Sequence, residues 1–215
     1  MNNTATALKR YTWDDYRTWP DNERWEVIGG EAYGMSPSPT ARHQAIQLRL
    51  SVGLQAFFRG KKCQVYPAPL DVKLSQTDIV QPDIFVVCNP NQVKTTHIEG
   101  APALVIEILS ESSERHDRGI KMRLYAAHGV REVWLVKPYP SMVEVYRLDG
   151  HSYRLVATYV PPGKLSSPGF PKLKLKLKDV FDFPLKPDEK AAAKVREGPP
   201  PAYGTKRIRR GAKGK

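Results

Sequence analysis

The chain has 215 residues, of which 40% are hydrophobic and 26% are charged. This composition is ordinary for a globular domain with a sizeable core, and it excludes a wholly disordered chain. No apolar run approaches the ~18 residues that a membrane-spanning helix needs, so we expect no membrane association.

The positive charge is concentrated at one end of the chain. The formal net charge is +12, and residues 184–215 contribute +7 of it through ten Lys/Arg and three Asp/Glu, which leaves +5 for residues 1–183. The tail is too polar to bury a core, so we predict one folded domain over 1–183 and a disordered tail over 184–215. Basic residues attract polyanions. The tail's predicted nucleic-acid contacts are Lys206, Arg207, Arg209 and Arg210.

The two cysteines, Cys63 and Cys88, are isolated in the sequence. They form no CxxC pair, so the pattern indicates neither a metal knuckle nor a disulfide framework. The first residues also lack the apolar core of a signal peptide. Together these features predict a reduced, cytoplasmic protein.

Short elements are predicted for the first third of the chain. Thr12 and the two acids after it predict a short helix that Pro20 helps to end. Gly29-Gly30, between two short runs, predicts a β-hairpin. Apolar residues at helical spacing predict a helix over 41–59, which Gly60 stops.

The remaining elements predict a mixed sheet. Two apolar runs rich in β-branched residues, 84–87 and 104–109, predict buried strands joined by a surface loop over 89–102. A helix is predicted over 114–128. Other predicted elements are strands at 63–66 and 70–74, which could be one interrupted hairpin arm, a strand at 132–137, a hairpin of 142–147 with 152–159, a strand with one solvated face at 170–177, and a helical turn at 179–183. The order predicts an α/β or α+β domain whose central mixed sheet is flanked by the helices at 41–59 and 114–128.

Two acids accompany the buried runs. Asp83 lies at the start of the first run, and Glu107 lies inside the second. A carboxylate in a buried strand costs several kcal/mol unless a cation or hydrogen bonds compensate it. A divalent metal such as Mg²⁺, shared by both acids, would compensate this cost because hard cations bind carboxylate oxygens.

The helix after Glu107 presents a further charged pair. Asp117 and Lys121 share a face with Leu124 and Tyr125 at spacings of three and four, so Lys121 is expected to point inward or to lie at the border of the core. An inward lysine needs an anion. Two acids, a bound metal and an ammonium are what phosphodiester hydrolysis requires, because the reaction needs a Lewis acid, an activated water and positive charge beside the developing negative charge.

The chain resembles a known group of nucleases. Pro82-Asp83, followed after a spacer by Glu107-Ile108-Leu109, resembles the acidic half of the PD-(D/E)XK nuclease superfamily. The stretches RWEVIGGE, YPAPLDVKL, QPDIFVV, GAPALVIEILSESS and DRGIKMRLYAAHGVREVWLVKP are similar to the Uma-type family of restriction endonucleases. The similarity covers roughly residues 12–183 and excludes the tail.

The resemblance implies a restriction-endonuclease-like core with a Mg²⁺ site, at which Mn²⁺ could substitute. Asp83 and Glu107 would be metal ligands together with the main-chain carbonyl of Ile108, and Glu26 would be a further acid of the site. The superfamily's lysine stands two residues after the glutamate, where this chain has Leu109. The resemblance instead assigns that role to Lys121. A second departure is Lys137, where the related pattern has an aspartate.

Other residues are predicted to support the site, namely Asp71, Asp117 and His43. Without the resemblance, Glu26 would be interpreted as a solvated hairpin residue. Three functions remain open from the sequence: a Mg²⁺-dependent DNA endonuclease, for which a homodimer would suit paired cuts, a nucleic-acid-binding protein that has lost catalysis, and an oligomeric interaction protein.

Overall fold

The computed structural model of the chain describes residues 9–20, 22–35 and 38–183. Its helices are α1 (Trp13–Tyr16), α2 (Ala41–Phe58), α3 (Glu114–His116), α4 (Met122–Ala127) and α5 (Leu177–Phe181), and a π-helical turn, Asp117–Lys121, joins α3 to α4. Its strands are β1 (Trp25–Ile28), β2 (Glu31–Gly34), β3 (Gln64–Pro67), β4 (Asp71–Lys73), β5 (Ile79–Val80), β6 (Ile84–Val87), β7 (His97–Glu99), β8 (Leu104–Ile108), β9 (Glu132–Lys137), β10 (Met142–Asp149), β11 (Ser152–Tyr159), β12 (Lys164–Ser166) and β13 (Lys174–Lys176). The predicted basic tail, with Lys206, Arg207, Arg209 and Arg210, lies outside the described residues.

A six-stranded mixed sheet forms the centre, in the order β11-β10-β9-β8-β6-β3. Only β8 and β9 run parallel within it. Apolar residues of α2 cover one face of β6, β8 and β9, and residues of α4 cover the other face. Because these strands are buried on both faces, their sequences are continuous apolar runs rather than alternating ones. The predicted mixed α+β fold is confirmed.

The long helix α2 positions one side of the site. Its first turn is capped by Thr40, whose hydroxyl accepts a hydrogen bond from the main-chain N–H of His43 at 3.2 Å. Ile46, Leu50 and Leu54 are fully or almost fully buried against the sheet. The helix therefore lies fixed across one face, with its N-terminal end near the start of β6, where the Gln47 side chain donates to the carbonyl of Asp83 at 2.8 Å.

The structure corrects the prediction of one central sheet. A second, five-stranded sheet has the order β2-β1-β5-β4-β7, and β12 pairs with β13 separately. The predicted strands at 63–66 and 70–74 are not one hairpin arm, since β3 joins the six-stranded sheet and β4 joins the five-stranded one. Three strands escaped prediction: β5, β7 inside the expected surface loop, and β12. They have two or three residues each, too few for a periodic pattern.

Two boundary predictions near the C-terminal end also change. The strand expected over 170–177 contains only three paired residues, Lys174–Lys176, and the closing helix begins at Leu177 rather than at 179. The alternation itself is present, because Leu173, Leu175 and Leu177 are buried while the intervening lysines are exposed. Leu175 contacts α2 closely, at a point where a Cβ on Gly53 would lie 2.8 Å from its Cδ2 atom.

The cysteines form a disulfide, so the prediction of reduced thiols was wrong. β3 and β6 pair antiparallel with Gln64 opposite Val87, and the same register places Cys63 opposite Cys88, with the Cα atoms 4.0 Å apart. Directly opposed residues of an antiparallel pair have their Cβ atoms close together, so the Sγ atoms of two opposed cysteines can bond. The sheet register brings Cys63 and Cys88 together, and their spacing in the sequence does not reveal that register.

Reduction of this disulfide is expected to lower the free energy of unfolding by about 3 kcal/mol. The bond joins residues 25 positions apart, and a closed loop of that size removes conformational entropy from the unfolded chain. Guanidinium denaturation with and without a strong reductant measures the difference. A Cys63→Ala/Cys88→Ala variant should unfold identically under both conditions, and equal stability of the oxidised and reduced parent would contradict the prediction.

Within the described residues, no helix has both the length and the apolar character that crossing a bilayer requires.

Candidate active site

Asp83 and Glu107 meet at one end of the central sheet. β6 and β8 pair antiparallel with Ile84 opposite Ile106, and continuing this register places Asp83 opposite Glu107. Directly opposite residues project from the same face of a sheet. The Asp83 carboxylate also accepts a hydrogen bond from the main-chain N–H of Ile108 at 2.7 Å. The two acids are therefore neighbours, as the sequence predicted.

Lys121 lies inside the protein at the centre of these acids and is only 3% exposed. Its Nζ atom is 2.8 Å from Glu107 Oε1 and 3.0 Å from Glu26 Oε1, and 3.7 Å from Asp117 Oδ1. The residue ends the π-helical turn, in which the N–H of Met122 bonds to the carbonyl of Asp117. Such turns interrupt α-helices frequently at functional sites. The structure thus places Lys121 inward rather than at the border.

Glu26 enters the site from the β1–β2 hairpin and is 4% exposed. The interpretation of Glu26 as a solvated residue, drawn from the hairpin pattern alone, was wrong. Its Oε1 atom accepts a hydrogen bond from the main-chain N–H of Gln81 at 3.0 Å, besides contacting Lys121. Its Oε2 atom is 3.6 Å from His116 Nε2. The second sheet therefore supplies an acid to a cluster that the first sheet and the α3–α4 segment form.

Tyr125 completes the surroundings of Glu107. Its hydroxyl donates a hydrogen bond to Glu107 Oε1 at 2.5 Å, and the side chain is fully buried. Tyr125 follows Lys121 by one helical turn, so one face of the helix holds Glu107 with both an ammonium and a hydroxyl. Helical spacing placed Tyr125 on the same face as Lys121 but indicated no role for its hydroxyl. Its signal was that a buried tyrosine hydroxyl usually needs a partner.

The charges of the cluster do not balance. The Lys121 ammonium contacts three carboxylates, those of Glu26, Glu107 and Asp117, and a fourth, that of Asp83, lies near Glu107. Burial, reinforced by the neighbouring acids, raises the pKa of Glu107 to about 8 although Lys121 opposes the shift, and burial likewise raises the pKa of Asp117. Burial alone would raise the pKa of Glu26, but the Lys121 ammonium together with the His116 side chain and the hydrogen bond from the main-chain N–H of Gln81 outweighs it and lowers that pKa to about 2. The site as it stands favours one more positive charge.

The residues predicted to support the site contact it to different degrees. His43 touches it directly, since its Nε2 atom is 3.3 Å from Asp83 Oδ2. Asp117 contacts Lys121 and is 6% exposed. Asp71 does not reach Lys121, and instead accepts hydrogen bonds from Tyr16 and from Gln81, each at 2.8 Å. Gln81, which the sequence analysis missed, links Asp71 to Glu26 through its side chain and its main-chain N–H.

The donor set fits a hard divalent cation held by few protein ligands. The hydrogen bonds and ion pairs of Glu107 fall on Oε1 and those of the Asp83 side chain fall on Oδ2, so each carboxylate keeps a second oxygen for a metal. Among the described residues, no group of three or more His, Cys, Asp or Glu side chains is arranged as a metal site. Mg²⁺ is commonly bound by one or two carboxylates and several waters, so two acids suffice.

Comparison with known proteins gives the site a family context. Residues 13–178 match the family model described as "Uma2: Putative restriction endonuclease". The chain belongs to the Uma2 family. The uncharacterized protein slr1290 of Synechocystis sp. (strain ATCC 27184 / PCC 6803 / Kazusa) is 29% identical over 156 residues, which cover 71% of this chain and 82% of that protein. The match to the Uma2 family spans every acid and the lysine of the cluster, and the predicted resemblance to it is confirmed.

A solved structure shares the fold. The crystal structure of a putative nuclease belonging to DUF820 from Anabaena variabilis ATCC 29413 superposes with a TM-score of 0.66 at 23% identity. The alignment covers 80% of this chain and 97% of the other. At this identity the likeness establishes the architecture, namely mixed sheets flanked by helices. The family description is that of a restriction endonuclease, and this likeness adds the fold.

Proposed function

We propose that this chain is a Mg²⁺-dependent endonuclease that hydrolyses phosphodiester bonds in DNA. The observation that carries the proposal is the buried Lys121, whose ammonium touches Glu107 and Glu26 beside Asp83. A buried cluster with more acids than cations lowers the stability of a protein, so its presence points to a function. Membership of a family described as restriction endonucleases supports this use.

Each residue has a role that follows from its contacts. Asp83 and Glu107 would hold the metal, assisted by the main-chain carbonyl of Ile108. The chemistry that bound Mg²⁺ or Mn²⁺ supplies is polarisation of a phosphoryl oxygen and a lowered pKa of a bound water. Lys121 would orient the attacking water and place positive charge near the scissile phosphate, while Glu26 holds the ammonium in position.

The positions of Glu107 and Lys121 are themselves fixed by neighbours. The hydroxyl of Tyr125 donates to the Glu107 oxygen that also contacts Lys121, so both side chains are held in one orientation. Gln81 fixes Glu26 in the same way through its main-chain N–H. Such prior ordering lowers the reorganisation needed when charge develops on the phosphate.

One observation favours a second function. The position that holds the superfamily's lysine is occupied by Leu109, an apolar side chain that is buried. A chain that had lost the lysine without replacing it would keep the fold and bind nucleic acid without cutting it. The contacts of Lys121 with Glu107 and Glu26 argue for replacement, and the two functions predict different responses to metal.

Cleavage of supercoiled plasmid by the full chain tests the proposal. We expect nicking and linearisation with Mg²⁺ or Mn²⁺ and none with EDTA. Asp83→Asn should slow cutting by at least about a hundredfold, because the amide cannot bind the cation as a carboxylate does. Asp71→Asn should change the rate less than tenfold, since Asp71 contacts Tyr16 and Gln81 rather than Lys121.

Exposed Asp149 provides a control, and Asp149→Asn should cut at the parental rate. Gel shifts in EDTA separate the two functions. Binding of DNA without cutting in Mg²⁺ or Mn²⁺ would favour the binding protein. Parental cutting rates in Asp83→Asn would remove Asp83 from the site.

A further inference from the structure

The β12–β13 pair carries a concentration of positive charge outside the basic tail and far in sequence from the Lys121 cluster. Lys164, Lys172, Lys174 and Lys176 are all exposed, and we call them the lysine face. Lys172, Lys174 and Lys176 alternate with Leu173, Leu175 and Leu177, which are buried. Within the pair, Lys164, Lys174 and Lys176 therefore share one side and Leu165 and Leu175 share the other, while Lys172 lies in the turn just before β13.

The lysine face lacks neutralising acids. No aspartate or glutamate occurs between Asp149 and Asp179, whereas that interval contains six Lys/Arg residues. Within the described part of the chain, none of the four lysines forms an ion pair with an acid, and Lys174 bonds only to the neutral hydroxyl of Ser166. By contrast, Lys73, Arg118 and Lys137 each contact a glutamate.

The register of the strands makes this arrangement unfavourable for the protein alone. Lys164 lies directly opposite Lys176, and Ser166 lies opposite Lys174. Like charges directly opposite each other destabilise an antiparallel pair. Lysines that merely protect a sheet edge from aggregation need not face each other in this way. An external polyanion would remove the repulsion.

The spacing of the lysines suits a nucleic-acid backbone. Same-side residues of a strand repeat at about 6.8 Å, which is twice the rise per residue. Successive phosphates of one DNA strand are about 3.4 Å apart along the helix axis. Because the backbone also winds around that axis, neighbouring phosphates are farther apart through space than this rise, so Lys174 and Lys176 on β13 can each face one of two neighbouring phosphates.

The lysine face is separate from the catalytic cluster. Leu165, Leu173 and Leu175 belong to the hydrophobic core that α2 covers, whereas Tyr125 belongs to the core on the other face of the six-stranded sheet. Contacts at the lysine face can consequently add affinity for a polyanion without entering the site of Glu107.

We propose that the lysine face of β12–β13 is a binding surface for the phosphate backbone of duplex DNA, distinct from the site of hydrolysis. The inference rests on the proposed nuclease function only for the choice of DNA as the polyanion. Binding there is independent of sequence, because lysines contact phosphates and not base edges. It holds the duplex on the enzyme while the catalytic cluster acts on one bond.

Equilibrium binding of the full chain to a random-sequence 30-base-pair duplex in EDTA tests this surface without relying on cleavage. We expect Lys164→Gln/Lys172→Gln/Lys174→Gln/Lys176→Gln to bind at least about tenfold more weakly than the parent at low salt. The slope of log K against log salt should become shallower by up to about 3.6, since each of the four phosphate contacts contributes about 0.9. A variant with arginine at the same four positions should match the parent in both affinity and salt slope.

A control variant removes equal charge elsewhere. Arg59→Gln/Lys61→Gln/Lys62→Gln/Arg131→Gln alters four exposed cations outside the lysine face and should bind within about threefold of the parent. A separate check needs no DNA: Lys176→Glu should raise the melting temperature at low salt, because it would face Lys164.

Several results would overturn the inference. Unchanged binding by the glutamine variant, or an equal loss in the control, would show that the lysine face is not the contact. Binding to heparin or polyglutamate but not to duplex DNA would assign the surface to another polyanion. Plasmid cleavage is scored separately from binding. If the parent cuts DNA but does not need the lysine face for binding, only this inference is refuted. If the parent binds DNA through the lysine face but does not cut it, only the proposed hydrolysis is refuted.

Discussion

Replacing Glu107 by glutamine is expected to slow DNA cleavage by at least about a hundredfold while the chain stays folded. The amide keeps the size of the side chain and can still accept the hydrogen bond from Tyr125. It removes the charge that a divalent cation needs from this ligand. The affinity for Mn²⁺, measured by calorimetry, should therefore fall together with the rate.

The stability of Glu107→Gln distinguishes a catalytic role from a structural one. Burial raises the pKa of Glu107 to about 8, so the anion is disfavoured in the metal-free protein. A neutral amide at this position should change the free energy of unfolding by no more than about 1 kcal/mol. Parental cutting by this variant would contradict the assignment. Loss of cutting accompanied by unfolding would leave the catalytic role of Glu107 unsupported.

The sequence predicted the central part of the fold well because the strongest local patterns lie there. The strands β6, β8 and β9 are continuous apolar runs, and α2 has apolar residues at helical spacing over five turns. Of the three strands that escaped prediction, β5 pairs with β1 and β7 pairs with β4, and both of these partners are distant in the chain. A local pattern contains no information about such partners.

The site was predictable in part for the same reason. Spacing alone placed Lys121 either inward or at the border of the core, and the acid inside an apolar strand marked Glu107 as unusual. The approach of Glu26 was not visible, since the hairpin that carries it belongs to the other sheet. The sequence indicated no role for Gln81 either, because its hydrogen bond to Glu26 is made by its main-chain N–H, which every residue except proline has.

Glu132 is a second acid buried in an apolar strand of the central sheet. It lies in an apolar strand adjacent to β8, directly opposite Leu104, and is 1% exposed. By the argument that led to a metal at Glu107, it should also need a cation. The Arg147 guanidinium, 3.3 Å from Glu132 Oε2, supplies one without a metal, and hydrogen bonds compensate the rest of the charge, with Ser167 Oγ, Gly169 N and Trp134 Nε1 all within 2.7 Å. A buried acid thus indicates a partner without revealing which kind.

Replacing Glu132 by alanine is therefore expected to produce the opposite result from Glu107→Gln. The change would leave the indole N–H of Trp134, the hydroxyl of Ser167 and the N–H of Gly169 without their acceptor, and Arg147 without its ion pair at 3.3 Å. Breaking such a buried network costs about 3–5 kcal/mol. Guanidinium denaturation at neutral pH should show this loss.

Cleavage by Glu132→Ala completes the contrast between the two acids. At a temperature where the variant is still folded, its rate with Mg²⁺ should lie within about threefold of the parent, because none of the hydrogen bonds of Glu132 reaches Lys121, Glu107 or Asp83. Glu111→Ala, at an exposed position, should alter the free energy of unfolding by no more than about 0.5 kcal/mol. A fully stable Glu132→Ala would mean that hydrogen bonds are not what permits an acid in β9. A folded Glu132→Ala that cannot cut would mean that Glu132 takes part in cleavage. The distinction between structural and catalytic acids in these neighbouring strands would then have to be drawn on other grounds.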